Sequence, residues 1–477
     1  MSNFISSYTQ PKVRLVYTDG EGHTSPSPPP PQQTNLDNKS KEMPMATQIY
    51  THVKSCNNLR HDNRCAYLYD AVSGHYRKLS SADWVHLLKI HCTQGTRHLL
   101  MKRHCTEAFD LLLGDPDLYM EFNGWRTQNP LKIPCKNGIL NLETMDITPY
   151  SPWDAIATSF DFEYIPNAKL EDAETFMTFA RSSLDYDNEP ELTNLMLICL
   201  GYVLSGSNRF RKAIVLLGPT ACGKSVMASF LQKVVGNENC SNVSLGRLGE
   251  KFRTIKLAES VVNITYELEN NCIKNVDIFK STVSGDVLSD QKKHKDEVSF
   301  TPAAKLFMCS NVLPGLGKNQ GSGADDPVFD RFVFIPFKRS VPPEERDTEL
   351  INKLWEERSI IMSVSLELFY YGLHTKGYIT PDCESSKECM VNFKREQNVF
   401  ETFVEDHIIF DPKARVSIAA IRNAYDQYCW QNVFKNDMGN AEIKAFFRNK
   451  YPYVQYDKFR LPDNKILWGF RGIALIK

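Results

Sequence analysis

The chain has 477 residues, enough for about three domains, and its 42% hydrophobic and 24% charged content is that of a globular protein with sizeable cores. A net charge of −1 excludes binding to nucleic acid through overall charge, so any such contact must use local basic patches. Thirteen cysteines without a repeated spacing read as reduced intracellular thiols, and no apolar run is long enough for a membrane span.

Residues 1–48 are poor in large apolar groups and contain the run Ser25 to Gln33, SPSPPPPQQ, which predicts a disordered Pro-rich tail. Residues 49–180 predict a mixed domain, mostly helical from about 50 to 130 and β-like after Ile133. His52, Cys56, His61 and Cys65 cluster in sequence, as do His91, Cys92, His98, His104 and Cys105. Neither group has C-x-x-C pairs or a zinc-finger spacing, so ordinary core and surface residues are the favoured reading over a metal site. Lys136-Asn137-Gly138 predicts a turn between short strands, with two further strands ending by Pro166. Two helical runs follow between Glu171 and Ser205, and the apolar stretch Leu195 to Leu204 predicts a buried helix.

The stretch Lys212 to Gln232, KAIVLLGPTACGKSVMASFLQ, carries the densest signal. An apolar strand runs into G-x-x-x-x-G-K-S and then into a helix. In that context glycines let backbone amides turn inward on phosphate oxygens, and the helix N-terminus adds partial positive charge. Gly218, Pro219, Thr220, Ala221, Cys222, Gly223, Lys224 and Ser225 are therefore candidate ATP-phosphate and Mg²⁺ ligands, with Lys224 for the β/γ-phosphates and Ser225 for the metal. Downstream, the apolar run Val261 to Tyr266 ends in Glu267-Leu268-Glu269, a second strand ending in acids. One carboxylate there suits Mg²⁺ held through water and another the attacking water, with Glu267 favoured at the strand end and Glu269 as the second acid.

Next come a short helix, a turn at Ser284-Gly285-Asp286 and a hairpin whose tip holds Lys292, Lys293, His294 and Lys295. A basic tip suits phosphate contact, and a solvated charged loop is the plainer alternative. A third strand from Lys305 ends at Asn311, whose amide can hydrogen-bond a γ-phosphate or its water. Arg331 precedes a fourth strand, Val333 to Phe337, and an arginine there can act as a finger on transferring phosphate. Residues 346–394 read as a helical linker or lid. In 395–477 the expected helices are Glu396 to Phe410, Ile418 to Phe434 and Ala441 to Lys450, before strands Val454 to Leu461 and Ile466 to Ile476. Helices followed by a hairpin suggest a winged helix for DNA contact, with a protein-interaction or ring-capping module as the alternative. From Arg395 onward, thirteen Lys and Arg outnumber ten Asp and Glu, among them Lys444, Arg448, Lys450, Lys458, Arg460 and Lys465.

Taken together, these blocks resemble the superfamily 3 helicases, most closely the phage/plasmid and poxvirus-type primase–helicase group. The resemblance spans roughly Ile133 to Lys477. It rests on IPCKNGILNLET, GPTACGKS, VVNITYELE, FKSTVSGDVLSDQKKHKDEVSFTPAAKLFMCSNVLP and DRFVFIPF in unbroken order. It implies an α/β, AAA+-like P-loop ATPase core, between residues 181 and 345, that hydrolyses ATP with Mg²⁺. It further implies a homo-hexameric ring moving 3′ to 5′ along single-stranded and forked DNA during replication of a virus or mobile element. Lys293 and His294 would grip the DNA backbone, Asn311 would act as sensor, and Arg331 would reach the neighbouring subunit's nucleotide. Two departures matter. The acids here are E-L-E and not an adjacent pair, which leaves the roles of Glu267 and Glu269 open. Ahead of Ile133, the only D-x-D of the ordered part, Asp115-Pro116-Asp117, sits at a turn, so priming would fall to a separate primase or polymerase. The expected location is intracellular, in host cytoplasm or at a viral replication site. An origin-binding initiator whose ATPase opens DNA with little processive unwinding is the alternative function.

Overall fold

The computed structural model describes residues 43–92, 97–122, 124–268, 273–291, 297–316, 326–376, 379, 382–432, 434, 436, 438–460 and 466–476. They form two compact units. One comprises residues up to Pro314 plus Arg331–Lys387, the other Gly315–Asp330 plus Glu388–Lys477. Of the expected Pro-rich tail, residues 1–42 lie outside the described residues. Its last residues do not: helix α1 (Met45–Cys56) starts inside that stretch because Ala46 and Ile49 are buried against the next elements.

The first unit opens with α1, a three-stranded antiparallel sheet in the order β1 (Leu59–His61), β2 (Ala66–Asp70) and β3 (His75–Lys78), then α2 (Ser81–Ile90) and α3 (Lys102–Leu113). The sheet corrects the mostly helical expectation for this region. Asp70 Oδ1 accepts from Val72 N at 2.9 Å, and Gly74 at φ +75° closes the β2–β3 turn, a conformation that a side chain disfavours. A short helix α4 (Trp125–Gln128) leads into the meander β4 (Lys132–Cys135), β5 (Gly138–Asn141), β6 (Asp146–Thr148). Between β6 and Pro166 the chain forms no second strand of the expected pair.

Helices α5 (Glu174–Leu184) and α6 (Pro190–Leu204) are separated by Asp185, left-handed at φ +56°, and Pro190 occupies the first turn of α6. The stretch Leu192 to Leu204 of α6 is almost wholly buried, as its composition predicts. The guanidinium of Arg126 donates to the carbonyls of Val203, Leu204 and Ser205 at 2.9–3.2 Å, capping the carboxyl end of that helix.

The central sheet comprises β7 (Ala213–Leu217), β8 (Cys240–Ser241), β9 (Val262–Thr265), β12 (Lys305–Ser310) and β13 (Phe332–Pro336). All pairings are parallel and the order is β13-β7-β12-β9-β8. β7, β9 and β12 are buried along nearly their whole length. Continuous apolar strands such as AIVLL therefore form a central parallel sheet covered on both faces. Helix α7 (Lys224–Val235) follows β7, while α8 (Val276–Ser284) and the hairpin β10 (Leu288–Gln291) and β11 (Glu297–Phe300) lie between β9 and β12. After β13, α9 (Leu350–Glu356) and α10 (Arg358–Tyr371) return to the core. Gly201 of α6 lets α10 approach, since a Cβ there would stand 2.6 Å from the Ser365 carbonyl oxygen.

The second unit holds α12 (Val399–His407), β14 (Ile408–Ser417), α13 (Ile418–Gln431), α14 (Asn440–Lys450), β15 (Gln455–Arg460) and β16 (Ile466–Leu475). They follow α11 (Glu384–Gln397), whose amino end belongs to the first unit. Phe400, Phe403, Ile421, Tyr425, Ile443, Phe447 and Phe470 form its core. The helix expected from Glu396 to Phe410 breaks into the ends of α11 and α12, and Ile408 onward is a strand instead. Ile408 and Ile409 pair with Leu475 and Ala474, completing a sheet in the order β14-β16-β15. No helix among the described residues is long and apolar enough to cross a membrane.

Candidate functional site

Because β7, β12, β9 and β13 are parallel, their carboxyl ends share one edge of the sheet, where open α/β sheets take their ligands. The loop Gly218–Gly223 lies on that edge between the ends of β12 and β13. Gly218 N donates to Ser310 O at 3.1 Å, and Phe337 N donates to Leu217 O at 2.6 Å. A Cβ on Gly218 would stand 2.4 Å from the Phe337 carbonyl oxygen. Ala221 and Gly223 are at φ +59° and +99°, so the chain turns through left-handed conformations before α7 begins at Lys224. Behind the turn, a Cβ on Gly223 would meet the Phe179 ring at 2.6 Å.

Lys224 is buried, and its ammonium donates to Gly218 O at 2.7 Å, to Pro219 O at 2.6 Å, to Cys222 Sγ at 3.3 Å and to Asn311 Oδ1 at 2.9 Å. Two candidates separated by 87 positions in the chain are thus in direct contact. The register explains it: Ser310 pairs with Leu217, so Asn311 emerges beside the loop's first residue. Beneath, Cys309 is buried, and burial pushes its thiol up to about 12, which makes it inert lining. Ser225 is exposed at the second position of α7, and Pro219 and Thr220 are exposed on the loop. Glu267 is exposed two residues past the end of β9. Tyr266 beside it donates to Gln232 Oε1 of α7 at 2.6 Å, anchoring the segment. Glu269, Lys292, Lys293, His294 and Lys295 lie outside the described residues, though the flanking arms pair as a hairpin from Leu288↔Phe300 to Gln291↔Glu297.

Arg331 is not with the others. It immediately precedes β13, whose register runs from Phe332↔Ala213 to Pro336↔Leu217. It therefore sits level with Lys212 at the amino edge of the sheet. At about 3.3 Å per residue that is roughly 20 Å from the loop of its own chain, beyond side-chain reach.

The segment after β13 carries site residues that sequence patterning gives no sign of. Val341 N donates to Ala221 O at 2.9 Å and Ser340 Oγ to Thr220 O at 2.8 Å, so residues 337–341 bracket the loop from the β13 side. Lys338 reaches Glu189 at 2.9 Å and Asp185 at 3.3 Å, which ties the bracket to the α5–α6 turn. These contacts follow from strand order and not from any local motif.

On the second unit, β15 and β16 present an aromatic and basic face. Tyr456 and Trp468 stack with centroids 5.5 Å apart and planes at 10°, Lys458 lies 4.9 Å over Trp468, and Lys444 lies 4.4 Å over Tyr456. Trp468 is half exposed and Trp430 is 82% exposed. Lys465 lies outside the described residues.

Comparison with known proteins finds two family models and several viral relatives. A family of unknown function, DUF5906, matches residues 216–325, and a D5 N terminal like family matches residues 121–184. The chain is 23% identical over 360 residues to the helicase candidate L207/L206 of Acanthamoeba polyphaga mimivirus, covering 69% of this chain and 35% of that protein. It is 24% identical over 260 residues to initiator protein NS1 of porcine parvovirus, covering 54% of this chain and 36% of that protein. A further helicase candidate, 121R of invertebrate iridescent virus 3, is 23% identical over 259 residues, covering 52% and 27%. The chain thus spans about a third of the length of the curated relatives it matches. The solved apo structure of the NrS-1 C terminal region (residues 305–718) superposes with a TM-score of 0.50 at 11% identity, covering 90% of this chain and 100% of that one. That likeness is one of fold, a mixed α/β chain with a parallel sheet. The curated relatives are named as viral helicase candidates and initiator proteins, and the chain is similar to them at 23–24% identity.

Proposed function

We propose that this chain is an ATP-driven DNA helicase of viral replication, with an AAA+-like core of the superfamily 3 type and its nucleotide site shared between neighbouring subunits. The observation that carries the reading is the contact of Lys224 with Asn311 at the carboxyl edge of a parallel sheet, next to a glycine-turned loop that opens a helix. Such a loop with a helix N-terminus is built for phosphate. On nucleotide entry Lys224 would exchange the Gly218 and Pro219 carbonyls for phosphate oxygens. Asn311 would then hold the attacking water or the γ-phosphate, not the lysine. Ser225 and Glu267 are exposed oxygen donors of the kind Mg²⁺ prefers, and would hold an ion that neutralises phosphate charge when bound. Glu267 is the described candidate for orienting the attacking water, with Glu269 as the alternative.

Arg331 supplies the second half of the reading. A cation on the far edge of the sheet serves no nucleotide bound to its own loop. In the proposed head-to-tail ring that edge would face the neighbour's loop. The hairpin that carries Lys293 and His294 would grip the strand in the ring's channel. The Tyr456–Trp468 face with Lys444 and Lys458 would stack and neutralise single-stranded DNA, in the manner of a winged helix adapted to a fork. A separate protein would supply primers.

The likeness to NS1 initiator proteins favours a second reading, in which the same ATPase binds and opens an origin with little processive unwinding. Strand displacement on a 3′-tailed duplex, compared with binding to blunt duplex, separates the two. ATP-dependent displacement abolished in Lys224→Ala supports the helicase. Tight duplex binding with ATPase and no displacement supports the initiator.

A further inference from the structure

Three side chains far apart in sequence converge in the amino-terminal module. His52 and Cys56 lie one turn apart on α1, the spacing that aims two ligands in the same direction from a helix. His91 arrives as the C-cap residue of α2. One ring nitrogen of each histidine and the Cys56 sulfur all lie within 4.8 Å of one another. The Cys56 sulfur is 3.8 Å from His52 Nε2, and the two imidazoles meet edge to face with centroids 5.3 Å apart. A tetrahedral zinc site with bonds of about 2.0–2.3 Å sets its ligand atoms about 3.3–3.8 Å apart. The trio is therefore within about an ångström of ligand spacing, and His52 and Cys56, only partly buried, have room to close it.

A further observation points to a cation there. Cys56 is the last residue of α1 and His91 caps α2, so two helix carboxyl ends, each with partial negative charge, meet at the trio. Asn57 places the third ligand: its amide nitrogen donates to Val53 O at 2.9 Å and lies 3.1 Å from His91 Nε2, which sets the imidazole beside the end of α1. Cys56 is a free thiol.

We propose that His52, Cys56 and His91 form a binding site for a borderline-soft divalent transition-metal ion, zinc being the chemical type. This assignment is independent of the ATPase reading. Two imidazoles and a thiolate are the donor set such ions select over Mg²⁺ or Ca²⁺. With His52 and Cys56 only partly buried, water would fill a fourth position. The ion would cross-link the ends of α1 and α2 over the core formed by Ile49, Val53, Trp84 and Leu88. Binding replaces the Cys56 S–H proton by the metal and releases that proton to solvent.

The test is a Co²⁺ titration of the full, reduced chain followed by absorption, with Zn²⁺ competition. Cys56→Ser, His91→Asn and, as a control thiol outside the module, Cys240→Ser would be measured in parallel. We expect one equivalent per chain, a sulfur-to-cobalt charge-transfer band displaced by Zn²⁺, loss of the band in Cys56→Ser, and affinity at least about tenfold weaker in His91→Asn. Zn²⁺ should also raise the melting temperature of wild type and Cys240→Ser, with no rise in Cys56→Ser, which keeps the test valid if His91→Asn does not fold. Absence of the charge-transfer band in wild type, or a band equally strong in Cys56→Ser, overturns the site.

Discussion

Replacing Arg331 by Ala isolates the claim that the nucleotide site is shared. The register sets Arg331 level with Lys212, roughly 20 Å along the sheet from its own loop, so removing it leaves that loop's Lys224–Asn311 contact untouched. Nucleotide affinity should hold while turnover falls by about 10³–10⁵, the usual worth of a finger arginine. The decisive form of the assay mixes Arg331→Ala with Lys224→Ala. Either protein alone should show only residual ATP turnover. In a randomly mixed head-to-tail ring, an interface works when an Arg331→Ala subunit supplies the loop and a Lys224→Ala subunit supplies the arginine. Roughly one interface in four meets that condition, so steady-state ATPase should recover to about a quarter of wild type at equal ratio if interfaces act independently. A mixture as inactive as its components, at every ratio, would place the arginine in cis or outside the mechanism and refute the reasoning from strand register.

Asn311→Ala deletes one hydrogen-bonding partner of Lys224 and the side chain nearest the expected γ-phosphate. It should lower kcat by about 10²–10³ with little change in ATP affinity, measured by steady-state ATPase and nucleotide titration. Gly223→Ala places a Cβ 2.6 Å from the Phe179 ring at φ +99°, so it should cost about 1–3 kcal/mol in thermal or urea unfolding and remove nucleotide binding; an unchanged melt would contradict the turn described. Lys305 is buried, and burial first, then the nearby Arg126, holds its ammonium well below the ordinary lysine value. The unfolded chain therefore binds more protons between the folded value and the ordinary one, so stability contributed at this position rises with pH across that window. Lys305→Met should flatten the alkaline rise in a pH series of melts, and curves parallel to wild type would count against it.

How much of this was legible in the sequence depended on whether a feature was local. The loop was, because an apolar run, two glycines and a helical run occupy adjacent residues, and each part acts on its neighbours. The α6 helix was, because an almost unbroken apolar stretch has nowhere to go but a core. Strand order was not. Nothing between Ala213 and Ser310 says that β12 inserts between β7 and β9, yet that insertion is what brings Asn311 to Lys224. The bracket of residues 337–341 and the Phe179 ring behind Gly223 are hidden for the same reason. At Ile408-Ile409-Phe410 the apolar run suited a helix or a strand, and pairing with β16, about 65 residues later, decided it. His52, Cys56 and His91 lacked a recognisable ligand spacing because the third comes from another helix.

The central claim is a motor that couples the Lys224 loop to DNA. The most direct measurement is ATP-dependent strand displacement on a 3′-tailed duplex by the purified chain, with Lys224→Ala beside it. The account predicts DNA-stimulated ATPase and displacement by the wild type, both lost in the variant while DNA binding persists. Displacement that survives in Lys224→Ala, or a wild type with neither stimulated ATPase nor displacement, would contradict it.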